Sequence, residues 1–151
     1  MKKILFLLGI CLAFVFSAVQ AQRTTLVNRN GDEQFANNFT TTGAIPTNID
    51  SFIMKNNEGG MLETSVIGYA KDTALVVTGK ISVRFNRHRG ILTMGTIIYL
   101  NPIVADTGLG AATFTYVTGA NGKIYLQVTG KISTAITWAN ITKRKSVWFV
   151  N

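Results

Sequence analysis

Cysteine is nearly missing: the 151-residue chain has one, Cys11, inside an apolar leader. Histidine is as scarce, with His88 alone, and only seven carboxylates face fifteen basic side chains. Without a second cysteine there is no disulfide, so burial and sheet hydrogen bonds must hold the domain. One histidine and no thiol cluster leave no transition-metal ligand set, and no Asp-rich loop offers a calcium site. Proline occurs twice, at Pro46 and Pro102. Apolar residues at helical spacing are lacking beyond the leader, so helix is expected to be minor or absent.

The leader itself is explicit. Lys2 and Lys3 precede an apolar stretch from Ile4 to Val19, and Val19-Gln20-Ala21 supplies the small and compact residues that a signal peptidase reads. Cleavage is expected after Ala21. The apolar run is slightly short for a bilayer span, which needs about 18 or more residues, so no transmembrane anchor is expected in the mature form. Leu8-Gly9-Ile10-Cys11 superficially resembles a lipobox, but Ile10 is too bulky before a modified cysteine. The cut removes two lysines and leaves 130 residues with 13 basic and 7 acidic side chains. One exported domain of formal charge +6 follows, to be sought in the periplasm, at the cell surface or outside.

The mature chain is expected to divide in two. Residues 22–43 are polar and rich in Asn and Thr, and read as an extended arm or an edge strand with loops. Residues 44–151 carry Val-, Ile-, Thr-, Tyr- and Phe-rich runs between turn signals. Lys80-Ile81-Ser82-Val83-Arg84-Phe85-Asn86 alternates strictly, giving one buried and one wet face. Strands are expected at about 51–55, 61–70, 74–86, 91–100, 112–117, 123–129, 135–142 and 147–150. Asn121-Gly122 predicts a tight hairpin, because both residues adopt positive φ cheaply. The fold class is all-β: a single antiparallel β-sandwich, jelly-roll-like, with a sheet closed on itself as the alternative. Val77-Thr78-Gly79-Lys80-Ile81-Ser82 recurs as Val128-Thr129-Gly130-Lys131-Ile132-Ser133, which leaves a duplicated half open.

Catalysis needs a positioned acid, base or nucleophile. His88 sits between Arg87 and Arg89, and most carboxylates fall in expected loops, so no enzyme and no cofactor are expected. Two basic groups stand out: Arg84, Arg87, His88 and Arg89 in one, and Lys143, Arg144 and Lys145 at an expected turn in the other. Charged tips commonly serve solubility and guard strand edges. If both lie at one end of the sandwich, they form an anion-binding surface suited to an anionic glycan or lipopolysaccharide. Specific nucleic-acid binding is not expected, since basic patches interleaved with stacking aromatics are not evident. Trp138 and Trp148 are either core or, if exposed, a glycan-stacking pair.

Gly110-Ala111-Ala112-Thr113-Phe114-Thr115-Tyr116, Leu126-Gln127-Val128-Thr129-Gly130 and Ile136-Thr137-Trp138 resemble the closing strands of β-sandwich modules in phage tail and virion proteins and in some bacterial surface proteins. The resemblance covers the last third of the chain and implies a structural or adhesive module without catalysis. A cleavable leader departs from virion proteins assembled in the cytoplasm. The reading is thus a secreted, non-catalytic structural or interaction module of a bacterial envelope or surface assembly. It would act on a protein partner or by self-assembly through strand pairing. A carbohydrate-binding module and a small outer-membrane β-barrel are the alternatives.

Overall fold

A computed structural model describes residues 24–27 and 33–149. The expected leader and its cleavage site lie outside the described residues. Among the described residues ten strands run in order: β1 (Thr24–Val27), β2 (Glu33–Thr41), β3 (Thr47–Ile53), β4 (Glu58–Ala70), β5 (Leu75–His88), β6 (Ile91–Met94), β7 (Ile98–Ala105), β8 (Thr113–Gly119), β9 (Lys123–Thr129) and β10 (Ile136–Trp148). They form two antiparallel sheets. The larger has the order β1-β2-β10-β4-β5-β6, with β7 also on β5; the smaller is β3-β9-β8. The chain is a β-sandwich.

Period-two alternation chooses the faces. β10 buries Ile136, Trp138, Asn140, Thr142 and Arg144 and exposes the residues between them. β4 turns its even-numbered residues inward and β5 its odd-numbered ones, including Leu62, Val66, Val77, Ile81, Val83 and Phe85. Phe52, Phe114, Tyr116, Ile124, Leu126 and Val128 of the smaller sheet complete one continuous core. Trp138 lies fully buried opposite Gly68, and a Cβ there would meet the indole at 2.9 Å. Glycine is what lets that ring lie flat against β4.

A polar layer crosses this core. Thr64 hydrogen-bonds the Tyr116 hydroxyl and, at 2.6 Å, the Thr142 hydroxyl. Asn140 donates to Asp50 at 3.2 Å, and Asn37 donates to the Ile49 carbonyl at 2.5 Å. These bonds engage the hydroxyls and the amide N–H groups, while Asn37 Oδ1 and Asn140 Oδ1 are buried without a hydrogen-bond partner. The layer pins the two sheets in one register.

Three expectations change. Strands 135–142 and 147–150 are one strand, β10, and Lys143–Ser146 is not a turn. β10 is held on both sides, by β2 through Arg144↔Glu33 and by β4 through Trp148↔Glu58, so its ladder carries the charged residues along. The expected strand 91–100 breaks at Gly95–Ile97, because 14-residue β5 receives β6 on Phe85–His88 and β7 on Val77–Ser82. Asn101-Pro102, which has the composition of a turn, lies within β7 where its register against β5 shifts. The polar stretch read as an extended arm or an edge strand with loops is, over Glu33–Thr41, a strand between β1 and β10 with Phe35, Asn37 and Thr41 buried. The barrel alternative is not realised among the described residues: the strands form two separate sheets, and β1 does not meet β6.

The Asn121-Gly122 hairpin is present. Asn121 has φ 58° and Gly122 φ 73°, Lys123 N–H donates to the Ala120 carbonyl, and β8 pairs β9 from Gly119↔Lys123 to Thr113↔Thr129.

Candidate functional site

Three connections and one strand end gather at one end of the sandwich: the β3–β4 loop, the β5–β6 turn, the β8–β9 turn and the end of β10. Hydrogen bonds knit them together. Met54 N–H donates to the Gly122 carbonyl at 2.9 Å, and Arg87 Nη1 donates to the Met54 carbonyl at 2.6 Å. Gly90 N–H reaches Asn56 Oδ1 at 2.8 Å, and Phe149 N–H reaches the Asn57 carbonyl at 2.9 Å. Arg89 (φ 50°) and Gly90 (φ 81°) form the two-residue turn that closes His88↔Ile91.

The register brings the two basic groups of the sequence to this end. Arg84 and Lys145 both oppose Met61 of β4, and Arg87 and Trp148 both oppose Glu58. Arg84 and Lys145 are thus about 10 Å apart, two strand spacings, and both are exposed. Lys143, His88 and Arg89 are exposed as well. Arg87 is half-buried and spent on the Met54 carbonyl.

Arg144 is a correction. It turns inward, and its Nε donates to Glu58 Oε1 at 3.0 Å while Nη2 pairs with the same oxygen. Its Nη1 donates to the Ile53 carbonyl at 3.1 Å and lies 3.3 Å from Glu33 Oε2. Glu58, fully buried, spends its other oxygen on Lys55 N–H at 2.6 Å. A charge so thoroughly engaged cannot receive an external anion. Sequence reasoning missed Glu58 because its partner lies 86 residues away.

Trp138 is a second correction. It is core, with Nε1–H donating to Thr41 Oγ1 at 2.8 Å, and cannot stack on a sugar. Trp148, ten residues along β10, has the same parity but stands past the cover of the smaller sheet. It is 51% exposed, with Lys55 Nζ 4.9 Å from its ring centre. Phe149 folds back over Gly59, where a Cβ would come within 3.0 Å of its ring.

The outer face of the larger sheet is the other exposed feature. The row Ala139–Ile67–Thr78–Val104 runs across β10, β4, β5 and β7, flanked by Ile141 and Tyr69. Ile67, Tyr69, Val104 and Ile141 are all exposed. Beside them, the shifted register of β7 opens a groove of about 410 Å³ lined by Ser65, Ile67, Thr78, Lys80, Asn101 and Pro102. Lys80 there is paired with Glu63 at 2.6 Å. Among the described residues no three His, Cys, Asp or Glu side chains converge as metal ligands. No described helix is long and apolar enough to cross a membrane.

With this geometry set beside solved structures, the tailspike protein of Acinetobacter baumannii phage AM24 superposes with a TM-score of 0.54 at 7% identity. The chain folds like part of a phage tailspike. It covers 79% of itself and 27% of that tailspike, so it spans about a quarter of the protein it matches. A tailspike from A. baumannii phage Fri1, described as a capsular polysaccharide depolymerase, superposes at TM-score 0.44 and 8% identity, over 84% of this chain and 21% of that one. No family model and no curated protein matches the sequence. The tailspike likeness agrees with the phage-tail-type β-module read from the last third of the chain, and it concerns fold alone.

Proposed function

We propose that the chain is a non-catalytic structural or interaction module of a bacterial envelope or surface assembly, acting outside the cytoplasm. The observation that carries this reading is the outer face of the larger sheet. Ile67, Tyr69, Val104 and Ile141 form an exposed apolar band on a sheet face that could have been polar, and such bands mark surfaces that a neighbour covers.

Fractionation of the native host in detergent tests it. The protein is expected in a complex well above monomer size, and Ile67→Asp with Ile141→Asp is expected to release it as monomer. A wild-type protein that migrates as a free monomer in every fraction overturns the reading.

A glycan-binding role is the second reading, favoured by exposed Trp148 beside Lys55. Calorimetric titration with soluble acidic oligosaccharides checks it. Saturable heat that disappears in Trp148→Ala is the expected result.

A further inference from the structure

The end of the sandwich that carries Trp148 has an unusual mixture of side chains. Ile91 is 71% exposed, Val147 60%, Ile53 57%, and Trp148 and Phe149 51% each. They project from the ends of three strands, β3, β6 and β10, that the hydrogen bonds described above hold together. Around them stand Lys55, Arg84, His88, Arg89 and Lys145, all exposed, and half-buried Lys123 opposite Ile53. Of the described carboxylates near this end, Glu58 is fully buried, Glu58 and the partly exposed Glu33 are paired with Arg144, and Glu63 is paired with Lys80. The accessible chemistry is therefore apolar, aromatic and cationic at once.

That combination has a specific physical match. An acidic glycan in solution would use the cations and one aromatic plane but would leave Ile53, Ile91 and Val147 in water. A neutral apolar surface would leave the cations without counter-charge. An anionic lipid surface satisfies both: headgroup phosphates meet the Lys and Arg side chains while the apolar tips and the amphipathic indole enter the headgroup boundary. The glycines fit this placement, since Gly59 gives Phe149 its seat and Gly90 closes the β5–β6 turn that presents Ile91.

We propose that this end of the sandwich docks on an anionic lipid surface, with Trp148, Phe149, Val147 and Ile91 at the headgroup boundary and Lys55, Arg84, Arg89 and Lys145 on the phosphates. The site lies at the loop end of the sandwich, six or more residues along β4 from Ile67, so it goes beyond the assembly role and stands or falls separately from it.

The chain carries its own probe. It has two tryptophans, and Trp138 is sealed in the core while Trp148 is half-exposed. Purified mature protein from Gln22 onward is mixed with vesicles of equal parts phosphatidylglycerol and phosphatidylcholine. The expected result is a blue shift and quenching by brominated acyl chains, absent in Trp148→Phe, weakened by salt, and small with pure phosphatidylcholine. Lys55→Glu with Lys145→Glu is expected to lower partitioning by about thirtyfold or more, from about a fivefold loss per cation near an anionic surface. Trp138 emission reports whether each variant is folded, and Ile91→Asn with Val147→Asn provides a second, charge-neutral variant expected to weaken binding too. Absence of binding to the anionic vesicles overturns the proposal, as does equal binding to neutral ones. So does a Trp148 shift that soluble polygalacturonate reproduces without any quenching by brominated lipid, which would assign the end to glycan. The detergent-resistant complex tested above is unaffected by any of these outcomes.

Discussion

At the scale of single residues, Arg144 and Glu58 form a buried ion pair. Removing both charges from water costs several kcal/mol per ion, and the pair repays this only because every polar atom is engaged. Glu58→Gln is therefore expected to destabilise the protein by about 3 kcal/mol, the low end for breaking a buried pair, since Arg144 keeps only the more exposed Glu33 as counter-charge. Replacing both residues with Met and Leu should recover most of that loss, and urea unfolding of the single and double variants measures each. Tyr116 offers a pH-dependent counterpart. Burial pushes its hydroxyl well above the ordinary tyrosine value of 10.0, against a smaller lowering from the Thr64 hydrogen bond. The folded state keeps that proton while the unfolded state releases it, so stability is full below about pH 10 and falls as pH rises beyond it. Ultraviolet titration should show the Tyr116 phenolate appearing only with unfolding, and Tyr116→Phe should flatten that alkaline slope.

Among the elements, the β8–β9 turn and strand β10 make opposite demands. Asn121-Gly122 adopts its conformation from local chemistry, and Gly122 also abuts the Arg87 guanidinium that holds the Met54 carbonyl. Gly122→Ala should cost about 1–2 kcal/mol from the left-handed backbone, plus the displacement of Arg87. A drop in thermal midpoint together with weaker amide protection at Met54 is the expected readout. β10 is different, because no local signal marks it as one strand: Lys143-Arg144-Lys145-Ser146 has the composition of a turn. It stays extended because β2 and β4 pair with it on either side and Glu58 accepts its central arginine. The three-residue break between β6 and β7 is equally non-local, arising from the length of β5.

For the whole molecule, the polar N-terminal stretch matters most. Because β2 lies between β1 and β10 with Phe35 in the core, deleting residues up to Gly43 removes a sheet strand rather than a free arm. Such a truncation is expected to unfold or aggregate, with loss of near-ultraviolet circular dichroism from Trp138, whose indole loses Thr41 as acceptor. Assembly is better probed by surface substitutions on Ile67 and Ile141, which leave every strand in place. The outer apolar face and the cationic end also sit on different parts of the larger sheet, so a neighbouring protein and a lipid surface could be engaged together.

What the sequence determined by itself is local. Strict alternation at Lys80–Asn86 gave strand and faces, Asn121-Gly122 gave the hairpin, the absence of helical spacing gave an all-β fold, and a lone cysteine left no internal disulfide. These follow from backbone sterics and a two-residue period, which act within a few positions of each other. Tertiary structure alone decided which tryptophan is core and which is surface, because Trp138 and Trp148 share one strand and one parity and differ only in whether the smaller sheet reaches over them. It alone decided that Arg144 is buried while Lys143 and Lys145 are not, because the carboxylate that neutralises it arrives from β4. Periodicity assigns a side chain to a face; what lies across from that face is set by residues far away in the chain.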